Sequence, residues 1–332
     1  MCKRAVAVLV RAWMVGVIFA GLSISAASAA TDAAPQPETT LFTYPRWVLV
    51  DSRGHVYVVD YETNYISEFD GHGSFVRRFG GQGAEPGKLQ NPYPARWSHW
   101  GSLLIWDYSG VNMFSPDGSF LTRWRPDRTG GWTDRVCDVD RFGRLYVPMR
   151  EHRAIERFEG NGAPTPVLTQ RKLDSVGVWT PAHVWVDRAD RLYVQDADRN
   201  RHRIVVFSAT GQWLTTLRPP EDAPRAFGYV SDVKLTPRDT ILVCAGRGIL
   251  EYDLTGKLRR RFAVPGSPCG LAVDEQGKMY VGARYVPAET SSAQHTAAVV
   301  KLSPDGVLLA VIRGVQERKE TPAVSPEGAP AQ

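Results

Sequence analysis

Two groups of residues in this 332-residue chain carry side chains that could do chemistry. The first is Arg96, Asp138, His183, Asp232 and Lys234. They sit in short β-prone runs such as Ala182-His183-Val184-Trp185-Val186 and Asp232-Val233-Lys234-Leu235, alternating with apolar residues. In a strand, alternation sends the two sets to opposite faces. An imidazole near a carboxylate, His183 with Asp232, could build a ligand or metal pocket. A guanidinium near a carboxylate, Arg96 with Asp138, would instead form an ion pair, and such pairs also place charge in clefts without function. The second group is Arg150, His152, Arg153, Arg199, Arg201, His202 and Arg203. Its functional reading is a basic patch that receives a carboxylate, a phosphate or an acidic partner. The alternative is ordinary loop charge, partly neutralised by Glu151, Asp196 and Asp198.

Several chemistries lack their parts. Zinc needs three or four placed His, Cys or carboxylate ligands. Of the seven histidines, His55, His72 and His99 are expected at turns on the face away from the patch. His152, His183, His202 and His295 remain, and no two of them have a metal-binding spacing on one strand. Asp138 and Asp232 are too few for a calcium-like centre. There is no Gly-x-Ser-x-Gly elbow and no phosphate loop. No cofactor and no catalytic residue is assigned, and the reading favours binding over catalysis.

The elements that must position these groups follow from an internal repeat. A hydrophobe, two residues, an aromatic or leucine, three residues and Gly recur as Ile66-Phe69-Gly73, Val111-Phe114-Gly118, Ile155-Phe158-Gly162, Ile204-Phe207-Gly211, Ile249-Tyr252-Gly256 and Val299-Leu302-Gly306. The turn glycines lie 44 to 50 residues apart, a period that signals a propeller when the units are short strands. Two strand columns align with them: Tyr57, Leu104, Tyr146, Tyr193, Leu242, Tyr280, and Val58, Ile105, Val147, Val194, Val243, Val281. The preceding turn supplies Gly54, Gly101, Gly143, Asp190, Asp239 and Gly277, types that tolerate a positive φ. The fold class is therefore all-β: a six-bladed β-propeller of four-stranded antiparallel blades, packed radially so that each sheet face is covered by a neighbour. In blade 1 the strands are expected near Arg46–Val50, Val56–Val59, Tyr65–Phe69 and Phe75–Phe79. The first strand of each blade would line a central channel, placing Arg96, Asp138, His183, Asp232 and Lys234 there. The patch falls on the face that carries the loops between second and third strands. On that face the blade 6 loop Arg284–Ala298 is much the longest, and long loops are commonly functional. Blade 6 owns a fourth strand, Val307–Ile312, so the ring could close without strand exchange, or Leu41–Tyr44 could add to an edge.

The segment Phe79-Gly80-Gly81-Gln82-Gly83-Ala84-Glu85-Pro86-Gly87-Lys88-Leu89-Gln90-Asn91-Pro92 resembles the connection between blades of NHL-repeat propellers. Asp196 with Asn200-Arg201-His202-Arg203-Ile204-Val205-Val206-Phe207 is similar to that family's other hallmark. The resemblance spans Leu41–Gly314, although blades 2, 3, 5 and 6 lack the Asn-His-Arg element. It implies the fold and leaves activity open, since the family includes protein- and RNA-binding scaffolds, sensor ectodomains and a zinc-using amidating lyase.

The termini read differently. Lys3, Arg4 and Arg11, the apolar run Ala12–Ile24 and Ala27-Ser28-Ala29 have the layout of a signal peptide over residues 1–30. A spacer covers Thr31–Thr40, and a Pro-, Glu- and Ala-rich tail with a disordered composition runs from Val315 to Gln332. Without the three leader cations the formal charge of +5 becomes about +2, too little to favour nucleic acid or a membrane surface. Cys137, Cys244 and Cys269 remain, and Cys244 with Cys269 could bridge a blade junction. The expectation is an exported, periplasmic or extracellular monomer without a stable membrane anchor. It binds a protein or anionic ligand on the loop face of blades 3, 4 and 6. A metal-dependent lyase or lactonase with its site at the channel mouth is the alternative.

Overall fold

In a computed structural model, residues 40–125, 137–149, 152–160, 163–197, 202–246, 248–287 and 295–315 are described. They form six four-stranded antiparallel sheets, each with its strands in chain order. Blade 1 comprises Pro45–Val50, Val56–Asp60, Tyr65–Phe69 and Phe75–Gly80, within a residue of the expected strands. The proposed leader, spacer and tail lie outside the described residues, apart from Thr40 and Val315. Among the described residues no helix is long and apolar enough to cross a membrane.

The turn column behaves as its residue types require: Gly54, Gly101, Gly143, Asp190, Asp239 and Gly277 all have φ between +55° and +81°, +85° at Gly101 excepted. The residue that opens each of these turns stabilises it further. Asp187 Oδ1 accepts the N–H groups of Ala189 and Arg191, while Oδ2 accepts the Tyr193 hydroxyl at 2.8 Å. Asp140 with Tyr146 and Asp274 with Tyr280 repeat that arrangement. The aligned tyrosines are thus held at both ends, ring in the core and hydroxyl on a turn carboxylate.

Ring closure needs no exchanged strand. The fourth strand of blade 6, Leu308–Arg313, pairs with its own third strand, and Leu41 and Phe42 N–H groups donate to Gly314 O as a clasp. Blade 6 presses on blade 1 through two glycines. A Cβ at Gly270 would lie 2.6 Å from Arg46 O, and one at Gly282 only 2.3 Å from Pro45 O. A side chain at either position would hold the two blades apart.

The expected cysteine bridge is not formed. Cys137, Cys244 and Cys269 are free and buried. Each serves as a small apolar residue, and Cys269 Sγ donates to Pro45 O and Gly282 O at 3.3 Å.

Candidate functional site

The first strands place Asp138 and Asp232 as the sequence alternation implies. Asp138 is 2 % exposed and accepts Arg96 Nη2 at 2.6 Å, so the ion-pair reading holds for that couple. Asp232 is fully buried and takes Lys234 Nζ at 2.7 Å, its own strand's Val233 N–H, and the Leu271 N–H of blade 6 at 3.2 Å. Its carboxyl pKa is raised, chiefly by burial, against the opposing pull of Lys234. Asp232 is therefore engaged as a link between blades, contrary to the pocket that paired it with His183. His183 lies half-buried with its ring edge-on to Trp185, centroids 5.4 Å apart. The lower mouth of the channel holds a cavity of about 210 Å³ lined by Arg96, Arg188, Lys234, Asp187, Asp274 and Glu275.

Two arginines of the basic patch are engaged within the fold. Arg203 is 9 % exposed and spends its guanidinium on Asp196 Oδ2 and on the carbonyls of Val176 and Gly177. Arg153 pairs with Asp174 and lies over the Trp179 ring at 4.9 Å. Asp174 belongs to a helix, Gln170–Ser175, in the connection from blade 3 to blade 4, which the strand-based reading had no reason to expect. Thr169 caps it and buried Leu173 anchors it. Two of the patch cations are thus structural. Arg150, Arg199 and Arg201 lie outside the described residues.

The upper channel mouth brings together residues that sequence reasoning passed over. In blades 1, 4, 5 and 6 the register slips by one residue at the start of the first strand. The extra residues are Arg46, Ala182, Ser231 and Cys269, and bulges of this kind re-aim a side chain next to functional sites. Arg46 is 6 % exposed; its Nη1 donates to Cys269 O at 3.0 Å in blade 6 and to the Tyr229 hydroxyl at 3.3 Å ahead of blade 5. Tyr44 bonds to Tyr229 through their hydroxyls, and burial lifts its pKa to about 12. Arg284 lies over the Tyr44 ring at 4.2 Å. The Tyr44 and Tyr61 rings meet at 5.8 Å, and those of Tyr61 and Tyr93 at 5.5 Å. Tyr229 and Tyr285 are 48 % and 58 % exposed, so this aromatic rim is open to solvent. The signal in the sequence was a Tyr before each of three first strands, Tyr44, Tyr93 and Tyr229; scattered over the chain, those positions read as core.

The carboxylate Asp60 shapes the rim from below. Its Oδ2 accepts the N–H groups of Thr43 and Tyr44, and its Oδ1 those of Glu62 and Thr63. Asp107 and Asp196 hold the connections into blades 2 and 4 in the same manner. This gives the Asp of the hallmark motif a structural task.

No protein-family model matches the chain, and no curated protein matches it. Solved structures of six-bladed propellers do. A catalytically inactive virginiamycin B lyase from Staphylococcus aureus, with quinupristin, is 13 % identical, with a TM-score of 0.52 over 82 % of this chain and 86 % of that one. Regucalcin from Agrobacterium tumefaciens, a calcium-binding protein, is 14 % identical, with a TM-score of 0.54 over 81 % and 92 %. A protein of unknown function from Bacteroides caccae is 13 % identical, with a TM-score of 0.52 over 78 % and 93 %. At these identities the likeness is one of fold: an all-β, six-bladed propeller.

Proposed function

We propose that this chain is an exported binding propeller whose ligand seat is the upper mouth of the channel, over blades 5, 6 and 1. The observation that carries this reading is the cluster of half-buried Tyr44, Tyr61 and Tyr93 with exposed Tyr229 beside the buried Arg46. Tyrosines offer a large, stiff, amphipathic contact area at low entropic cost, and they are enriched where proteins bind. The seat replaces the loops of blades 3 and 4 as the centre of the binding face, because Arg153 and Arg203 are committed to the fold.

Ligand-observed NMR of the purified chain with a mixture of small aromatic and sugar fragments tests the reading. Hits should be lost in Tyr229→Ala and kept in Trp213→Ala, whose ring is exposed on the outer edge of blade 4. Hits that persist in Tyr229→Ala would place binding elsewhere. Export is tested by N-terminal sequencing, with the new terminus expected after Ala29 or Ala30.

A metal-dependent enzyme reading draws support from the fold shared with virginiamycin B lyase and with regucalcin, a calcium-binding protein. A metal centre would need converging ligands, and among the described residues no three His, Cys, Asp or Glu side chains gather. The described residues by themselves do not fit such a centre. Metal analysis of the purified chain decides between the readings: a stoichiometric divalent ion would favour the enzyme.

A further inference from the structure

Arg46 and Arg284 both approach Tyr44 and Cys269 at the upper mouth, and among the described residues no carboxylate pairs with either. Arg46 is more than nine-tenths buried, and its hydrogen-bond acceptors are a phenol and a carbonyl, both neutral. Among the described residues neither guanidinium has a carboxylate within ion-pair distance. Arg284 Nε–H is buried and meets no acceptor there. Buried charges are ordinarily paired, because desolvating an ion is costly without a counter-charge.

The groups that surround the two cations do not supply that charge. Cys269 feels both guanidiniums, yet burial lifts its thiol to about 12 and keeps it protonated. Tyr44 and Tyr93 are likewise held as neutral phenols, burial leading in each case, with pKa values of about 12. Asp60 is fully buried and its two oxygens are occupied by four backbone N–H groups. Two like charges thus flank Tyr44 beside an open aromatic rim, and a planar guanidinium fork suits an oxyanion held by two parallel bonds.

We propose that Arg46 and Arg284 form an oxyanion seat that receives the carboxylate or phosphate of a ring-bearing small molecule, whose ring lies on Tyr44 and Tyr229. This rests on the upper mouth being the binding seat and adds the charge class of the ligand. The oxyanion accepts from the guanidinium N–H groups and the ring covers the tyrosine faces. Selection is then by charge at the bottom of the seat and by shape at its rim.

The test is calorimetric titration of the purified chain with benzoate, phenyl phosphate and the neutral benzamide in low-chloride buffer. The wild type should bind at least one of the two anions 10-fold or more tightly than benzamide; which one it prefers separates carboxylate from phosphate. Arg46→Met should lose that preference, and Arg284→Gln should weaken anion binding several-fold. Arg46→Met should also melt no lower than wild type, because it removes a buried charge that lacks a counter-ion. If Arg46→Met fails to fold, Arg284→Gln carries the test alone. Anions that bind no better than benzamide, or equally well to wild type and both variants, overturn the oxyanion seat. If Tyr229→Ala abolishes binding of benzamide and benzoate alike while both arginine variants retain it, the aromatic seat stands and the charge assignment falls. If no probe binds and Tyr229→Ala leaves fragment hits unchanged, both fall.

Discussion

Arg96 donates from Nη2 to Asp138 Oδ2 at 2.6 Å across the junction of blades 2 and 3, and the same oxygen accepts the Val186 N–H of blade 4 at 2.9 Å. One carboxylate on the channel wall therefore ties three blades together. Asp232 repeats the device two residues nearer the upper mouth, where it reaches from blade 5 to Leu271 of blade 6. In both cases the oxygen meets the N–H one residue beyond its own strand position in the next blade. The channel charges that looked most like a site are thus the fasteners of the ring.

Removing one fastener should be costly. Asp138→Ala leaves Arg96 without its counter-charge and Val186 N–H without an acceptor, and breaking such a buried pair costs about 3–5 kcal/mol. Urea denaturation measures the loss, and Arg96→Met added to Asp138→Ala should recover part of it. A single variant as stable as wild type would show that the pair does not hold the blades.

Asp232 makes a pH prediction whose sign follows from its burial. Its folded pKa is raised above 3.8, so the native state holds that proton more tightly than the unfolded chain. As pH rises from about 4 through the folded value, native Asp232 must ionise in a desolvated place and stability falls. In Asp232→Asn this decline is absent. The denaturation midpoint of the variant, relative to wild type, should climb as the pH rises above about 4; bared Lys234 adds a constant offset. A midpoint difference that shrinks with pH would mean that Lys234 outweighs burial.

Arg203 should behave as a structural residue. Arg203→Met removes the partner of buried Asp196 and the donor to two carbonyls, with an expected loss of about 3 kcal/mol. Arg153→Met removes an ion pair to a partly exposed Asp174 and should cost about 1 kcal/mol or less. Parallel melting curves check the ranking. Unchanged stability in Arg203→Met would return that residue to the candidate binding patch.

The blade 6 glycines should be intolerant of a methyl group. Gly282→Ala places a Cβ where Pro45 O already lies, and overpacking of this kind costs about 1–3 kcal/mol. Gly228→Ala is the control, since a Cβ there meets nothing within 4 Å and should be close to neutral. Denaturant midpoints of the two variants compare them; equal values would show that the closure yields without strain.

Local pattern alone determined a good deal about this chain. The repeat period, the strand alternation and the positive-φ column each depend on residues a few positions apart, so the blade count, the strands of blade 1 and the turn conformations were legible without any partner in view. The Arg96–Asp138 pair was legible for the same reason, because adjacent blades in a ring put the same column side by side. Tertiary structure decided what those positions do. Asp232 became a fastener only because Leu271 of the next blade presents an N–H to it, and Arg203 became structural because the connection at Val176 and Gly177, 26 to 27 residues upstream, turns its carbonyls inward. The candidate site depended most on the fold. Arg46, Tyr229 and Arg284 come from blades 1, 5 and 6, and Arg46 reaches the mouth from a one-residue bulge. No spacing along the chain encodes that convergence, because it is set by the closing of the ring.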